Sequence, residues 1–153
     1  MGREVARLLQ VWVDADACPR SVMRFLHSHS DQLGYNLWTV STSNHLLLGE
    51  QHLTVDPEPQ AVDLVIVNRV QPGDIVVTQD WGLAAIILGK RAYAISPKGF
   101  VYTNDRMPFM LEQRNLLARH RRGGGRSKGP AARTDADDAR FQRAFKRLLL
   151  QAR

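Results

Sequence analysis

Leu8 to Val13 is an almost unbroken apolar run, and it breaks off into Asp14-Ala15-Asp16-Ala17-Cys18-Pro19. A strand that is apolar at successive rather than alternate positions must be covered on both faces. That places it inside a sheet with helices above and below. Pro19 suits the first turn of a helix, where its missing N–H leaves no bond unmade. The tract reads as a buried strand, a short acidic turn and a helix.

The rest of the chain repeats the alternation. A helix over 19–30 carries Val22, Phe25 and Leu26 on one face, and Gly34 stops it. Strands follow over 35–40, 53–55, 74–78 and 92–95, separated by helices over 60–69 and 80–89. Pro97-Lys98-Gly99 turns the chain into a small hairpin with Val101-Tyr102. A further helix spans 108–121. Thr134 and Asp137 form a capping box for a last helix, which docks through Phe141, Phe145, Leu148 and Leu149. This pattern predicts an α/β domain over 1–122, a basic glycine-rich loop over 123–133, and an amphipathic helix over 134–153 packed on the same domain. The sheet is expected to be mainly parallel with helices on both faces.

Composition narrows the class. A chain of 153 residues fits one domain with a real core. No apolar run reaches the length of a membrane span, and the first ten residues lack the order of a signal peptide. The lone Cys18 excludes an internal disulfide and a multi-cysteine zinc site, and it suits a reducing cytoplasm. Charge is split along the chain: residues 1–113 carry a net −3 and residues 114–153 a net +9. A basic end beside an acidic cleft suits a polyanion, nucleic acid above all. A solvated tail is the plainer reading.

Five aspartates are candidates for chemistry. Asp14 and Asp80 each follow an apolar strand and belong at the carboxyl edge of the sheet, where ligands of open α/β sheets bind. Asp63 lies early in its helix and is placed to join them. Carboxylates gathered in this way call for magnesium or manganese, which favour carboxylate oxygen. Such an ion activates water and stabilises charge on a phosphate. Plainer roles stand beside this one. Asp16 is either outer support for the metal or a cap for the helix opened by Pro19, Asp80 is an N-cap, and Asp63 is a solvent-facing helix residue. Asp74 precedes its strand and belongs to the turn after Pro72-Gly73. His27 and His29 cannot share a helix face, Cys18 reads as a small buried residue, Trp12 and Trp38 read as core, and for Trp81 stacking on a base is the lesser of two readings beside a structural one. Arg114, Arg119, Arg121, Arg122, Arg126 and Lys128 are candidates for phosphate contact, and His45 lies in a polar loop that can reach the same edge.

Asp14-Ala15-Asp16-Ala17-Cys18-Pro19 resembles the signature of the YaiI/YqxD family of bacterial proteins. Ser43-Asn44-His45 is similar to that family's Asn-Ser-x-His loop, and Ala61-Val62-Asp63 to the end of its Asp-Ala-Ala-Asp segment. Gly73-Asp74-Ile75-Val76-Val77-Thr78-Gln79-Asp80-Trp81-Gly82-Leu83-Ala84 resembles its Gly-Asp-Ile-Val-Val-Thr-x-Asp-x-x-Leu-Ala block. Gln60 departs from the pattern, standing where the first aspartate of the segment is usual. The resemblance implies a PIN-like fold with sheet order 3-2-1-4-5 and an acidic pocket in which Asp14, Asp63 and Asp80 bind Mg2+ or Mn2+. It implies a nuclease acting on RNA or single-stranded nucleic acid, with Ser43, Asn44, His45 and the basic residues gripping the substrate. A non-catalytic RNA-binding protein of the same fold is the alternative. A phosphatase with Asp14 as nucleophile is a third reading, from which Cys18 and the early Gly73-Asp74 pair both depart.

Overall fold

β1 (Leu9–Asp14) is the centre from which the rest is built. In a computed structural model, which describes residues 8–42, 51–58, 60–108 and 132–153, it pairs in parallel with β2 (Tyr35–Ser41) on one side and β4 (Ile75–Val77) on the other. β3 (His52–Thr54) extends the sheet beyond β2, and β5 (Tyr93–Ile95) extends it beyond β4, both in parallel. The order β3-β2-β1-β4-β5 is the one the family resemblance implied. The hairpin strand β6 (Val101–Tyr102) adds an antiparallel edge beside β5.

The apolar run of β1 serves two cores, because successive side chains leave a strand on opposite faces. Val11 and Val13 are fully buried on one face with α1 (Arg20–Ser28) and the last helix, α5 (Asp135–Ala152). Trp12 points to the other face, toward α3 (Ala61–Arg69) and α4 (Trp81–Gly89). The result is one α/β domain of three layers. The helix expected over 19–30 divides into α1 and a single turn, α2 (Ser30–Leu33), which Gly34 ends in the left-handed region. Among the described residues no helix is long and apolar enough to cross a membrane.

Two polar side chains of the sheet interior, Gln10 and Trp38, pair with each other. Gln10 accepts the Trp38 indole N–H (2.6 Å) and donates to the Leu8 carbonyl. Trp12 stacks on Trp38 with ring centroids 5.3 Å apart, so both tryptophans are core. The helix expected over 108–121, the loop 43–45, the boundary at 122–123 and the glycine-rich loop lie outside the described residues, except where that helix begins at Met107 and Pro108.

α5 opens on the capping box expected for it: Thr134 Oγ1 accepts from the Asp137 N–H, and Asp137 accepts from the Thr134 N–H. Its aromatic face, Phe141 and Phe145, meets Phe25 edge to face. The β5–β6 turn packs directly on its backbone. Gly99 adopts φ +88°, and a Cβ there would lie 2.7 Å from the Arg140 carbonyl carbon and oxygen. Backbone at that distance cannot move aside as a side chain can. Gly99→Ala is therefore expected to combine left-handed strain with a backbone clash and to destabilise the fold by about 3 kcal/mol. Urea denaturation measures this; an unchanged midpoint contradicts the packing described.

Candidate active site

The chain leaves β1 for β2 along one face of the sheet and leaves β4 for β5 along the other. The carboxyl ends of β1 and β4 therefore flank a topological switch point, where open α/β sheets form a crevice. Asp14 is the last residue of β1. Asp80 follows β4 by three residues and caps α4, its Oδ1 accepting the Leu83 N–H (3.0 Å). Its own N–H donates to Thr78 Oγ1. Asp63 sits in the first turn of α3 and brings a third carboxyl to the same crevice. That turn opens from Gln60, which adopts a left-handed φ of 64° and makes no side-chain cap.

Electrostatics link these groups. Burial raises the Asp63 carboxyl from the ordinary 3.8 to about 6, and the charges of Asp80 and then Asp14 add to the rise. A hydrogen bond between the Asp63 and Asp80 side chains is the smallest of the causes that raise it. Asp14 is raised as well, by burial first and then by Asp16, while the N–H groups of Asp16 and Ala17 partly offset this. One oxygen of Asp14, Oδ1, is buried without a hydrogen-bond partner. Beneath the crevice, Tyr102 donates to the Thr78 carbonyl (3.1 Å); burial and then Asp80 push its hydroxyl up to about 12.

The other candidates are placed differently. Asp16 does not cap α1, whose N-cap is Pro19 with no side-chain bond. A 3-10 turn over Ala15–Ala17 intervenes, and Asp16 Oδ2 accepts both the N–H and the hydroxyl of Thr42 at the end of β2. Asp74 lies at the opposite edge, buried in the turn, where it accepts from the Gln71 N–H and the Trp12 indole. Cys18 is half-buried and burial pushes its thiol up to about 12, which makes it an unreactive packing residue. Trp81 stands edge to face on Tyr102 at 5.6 Å and packs on the core. His29 lies on Phe25, and burial lowers the pKa of His27, whose Nε2 has no partner. Ser43, Asn44, His45, Arg114, Arg119, Arg121, Arg122, Arg126 and Lys128 lie outside the described residues.

The donor set suits a hard divalent cation: oxygen only, partly desolvated, with one buried oxygen unpaired. Among the described residues no three His, Cys, Asp or Glu side chains crowd closely enough to encircle a metal. Magnesium does not require that, since it keeps several waters and is commonly held through one or two carboxylates.

A model of the family described as uncharacterised, YaiI/YqxD, matches residues 12–151. The chain belongs to the YaiI/YqxD family. It is 42% identical over 141 residues to a UPF0178 protein of Heliobacterium modesticaldum, covering 92% of this chain and 97% of the relative. It is 41% identical over 145 residues to a UPF0178 protein of Exiguobacterium sibiricum, covering 94% and 98%. No solved structure matches the chain.

Several contacts around the acidic edge of this YaiI/YqxD chain carried no local sequence signal. Thr42 as the partner of Asp16 is one. His52 is another: its two ring nitrogens meet the hydroxyls of Thr39 (2.6 Å) and Ser41 (3.0 Å) on β2. The alternation of Thr39 and Ser41 on one strand face was the available clue. Arg133 is a third, bonded to Ser21, Asp138 and the Pro97 carbonyl.

A pH dependence follows from Asp63. The folded chain holds that proton more tightly than the unfolded chain does. Its stabilising effect is complete below about pH 4 and is lost as pH rises through about 6. Metal-free protein should lose about 1 kcal/mol across this window, because solvent screens the partly exposed carboxyl. Asp63→Asn should reduce the slope, leaving the share of Asp14, and raise the melting temperature at pH 8 by roughly 2–4 °C. Calorimetry at pH 4, 6 and 8 decides; parallel pH profiles for the two proteins contradict the coupling.

Proposed function

We propose that this chain is a divalent-metal-dependent phosphodiesterase that cleaves RNA or another single-stranded nucleic acid. The observation that carries the reading is the like-charged group at the switch point. Burial and the charges of Asp80 and Asp14 raise the Asp63 carboxyl, and Asp14 at the end of β1 offers a buried oxygen with no partner. Carboxylates held close in this way raise the free energy of the metal-free fold, and a cation relieves that cost.

In this reading Asp14, Asp63 and Asp80 hold Mg2+ or Mn2+, and the ion supplies an activated water and neutralises charge on the phosphate. The chain's own residues set the geometry. The buried end of β1 fixes Asp14. The Leu83 N–H holds one oxygen of Asp80. Asp16 clamps the end of β2 through Thr42. The basic residues from Arg114 to Lys128 supply charge for the phosphate backbone. A reducing cytoplasm suits the single unreactive Cys18.

One observation favours binding without hydrolysis: among the described residues no three ligand side chains crowd together. Two measurements separate the readings. Manganese should raise the melting temperature of the wild type and have little effect on Asp14→Asn. Manganese-dependent cleavage of a single-stranded RNA should fall on the order of 10²-fold in Asp14→Asn, with the fold intact by circular dichroism. RNA binding with neither a manganese shift nor cleavage replaces the enzyme with the binding protein.

A further inference from the structure

We infer that the groove between β6 and α5 is a second contact surface, one that carries the phosphate backbone of a single-stranded nucleic acid away from the acidic crevice. The inference rests on the substrate class proposed above and uses none of the residues assigned to it. The groove has a volume of about 510 Å3. Val101 of β6 and Ala144 and Leu148 of α5 give it apolar lining, beside the polar Thr103 and Gln151. Arg106 and Arg147 line it as well, together with one carboxylate, Asp105.

Three features favour a polyanionic strand as the occupant. First, the two guanidinium groups are available. Among the described residues neither has a carboxylate within salt-bridge distance; the pairs found there join Arg133 to Asp138 and Arg140 to Asp137. Second, Arg106 is held without being neutralised. Its guanidinium lies over the Phe100 ring at 5.1 Å, a contact that orients the plane and leaves its N–H edge to a ligand. Arg143 and Arg147 stand one helical turn apart on the exposed side of α5, which extends the positive rim. Third, the groove begins at the right edge. Gly99, in the β5–β6 turn at the carboxyl end of β5, closes one end, while Arg106 lies past the far end of antiparallel β6. The sheet order β1-β4-β5 puts that turn two inter-strand spacings from Asp14, roughly 10 Å. A chain of phosphates can therefore pass from the carboxylates to the turn and enter the groove, with sugars and bases against Val101 and Ala144.

The test is fluorescence anisotropy of a labelled 12-nucleotide single-stranded RNA in EDTA, between 50 and 300 mM KCl. The wild type is compared with the double variants Arg106→Ala/Arg147→Ala and Arg106→Lys/Arg147→Lys. Each phosphate contact contributes about 0.7 to the slope of log affinity against log salt for a single strand. The alanine variant should bind about tenfold more weakly at low salt, with a slope shallower by about 1.4. The lysine variant should keep the wild-type slope. An unchanged slope in the alanine variant overturns the proposal, as does a poly-glutamate peptide of equal charge competing as well as the RNA. EDTA prevents hydrolysis, so failure here is separate from failure of the enzyme reading, which shows as manganese-dependent cleavage surviving in Asp14→Asn.

Discussion

Burial of β1 on both faces and along both edges is the constraint on which this molecule depends. β2 and β4 take up its backbone hydrogen bonds, while Val11, Val13 and Trp12 lock it into the two cores. Each such side chain contributes about 1.5–3 kcal/mol by leaving water. A strand enclosed in this way has room for polar chemistry only at its ends. Gln10 answers the Trp38 indole at one end, and Asp14 faces the crevice at the other. The acidic edge is thus a consequence of where the buried strand stops.

That placement has a free-energy cost. A buried polar oxygen without a partner costs about 1–3 kcal/mol, and the like charges nearby add to this. Three elements converge on the crevice: β1 ends in Asp14, α3 begins near Asp63, and α4 begins at Asp80, whose carboxylate is tied to its own helix. None of the three can relax alone without disturbing packed apolar layers. Sites that bind charged ligands often keep such unfavourable arrangements because the surrounding core over-determines them.

What the sequence made legible follows from the range of the interactions. The unbroken apolar run of β1, the capping box of Thr134 and Asp137, and the Asp74 turn involve residues next to or a few positions from one another, and all are where local rules put them. The candidate carboxylates were legible because each marks a strand exit or a helix start. Asp16 was ambiguous for the same reason. A carboxylate shortly before a helix resembles a cap, and only the fold brings Thr42 to it from 26 residues away. The Arg133 junction spans 112 residues to Ser21, and no pattern along the chain announces it. Gln60 opens α3 from the left-handed region, which nothing in its neighbours along the chain announces. A left-handed φ is easier for aspartate or asparagine than for glutamine.

The last helix ties these observations together. Its aromatic face completes the core on the α1 side of β1, so it is part of the domain that carries the carboxylates. Gly99 rests against its backbone, and Arg133 just before it grips both the start of α1 and the β5–β6 turn. Both ends of the acidic edge are therefore referenced to one rigid element. A flexible basic tail would bring positive charge near a substrate without fixing where it lies. In the proposed reading, charge carried on a helix riveted to the sheet would hold each phosphate at a set distance from Asp14, and a reaction that needs its phosphate aligned to within a fraction of an ångström would gain from that rigidity.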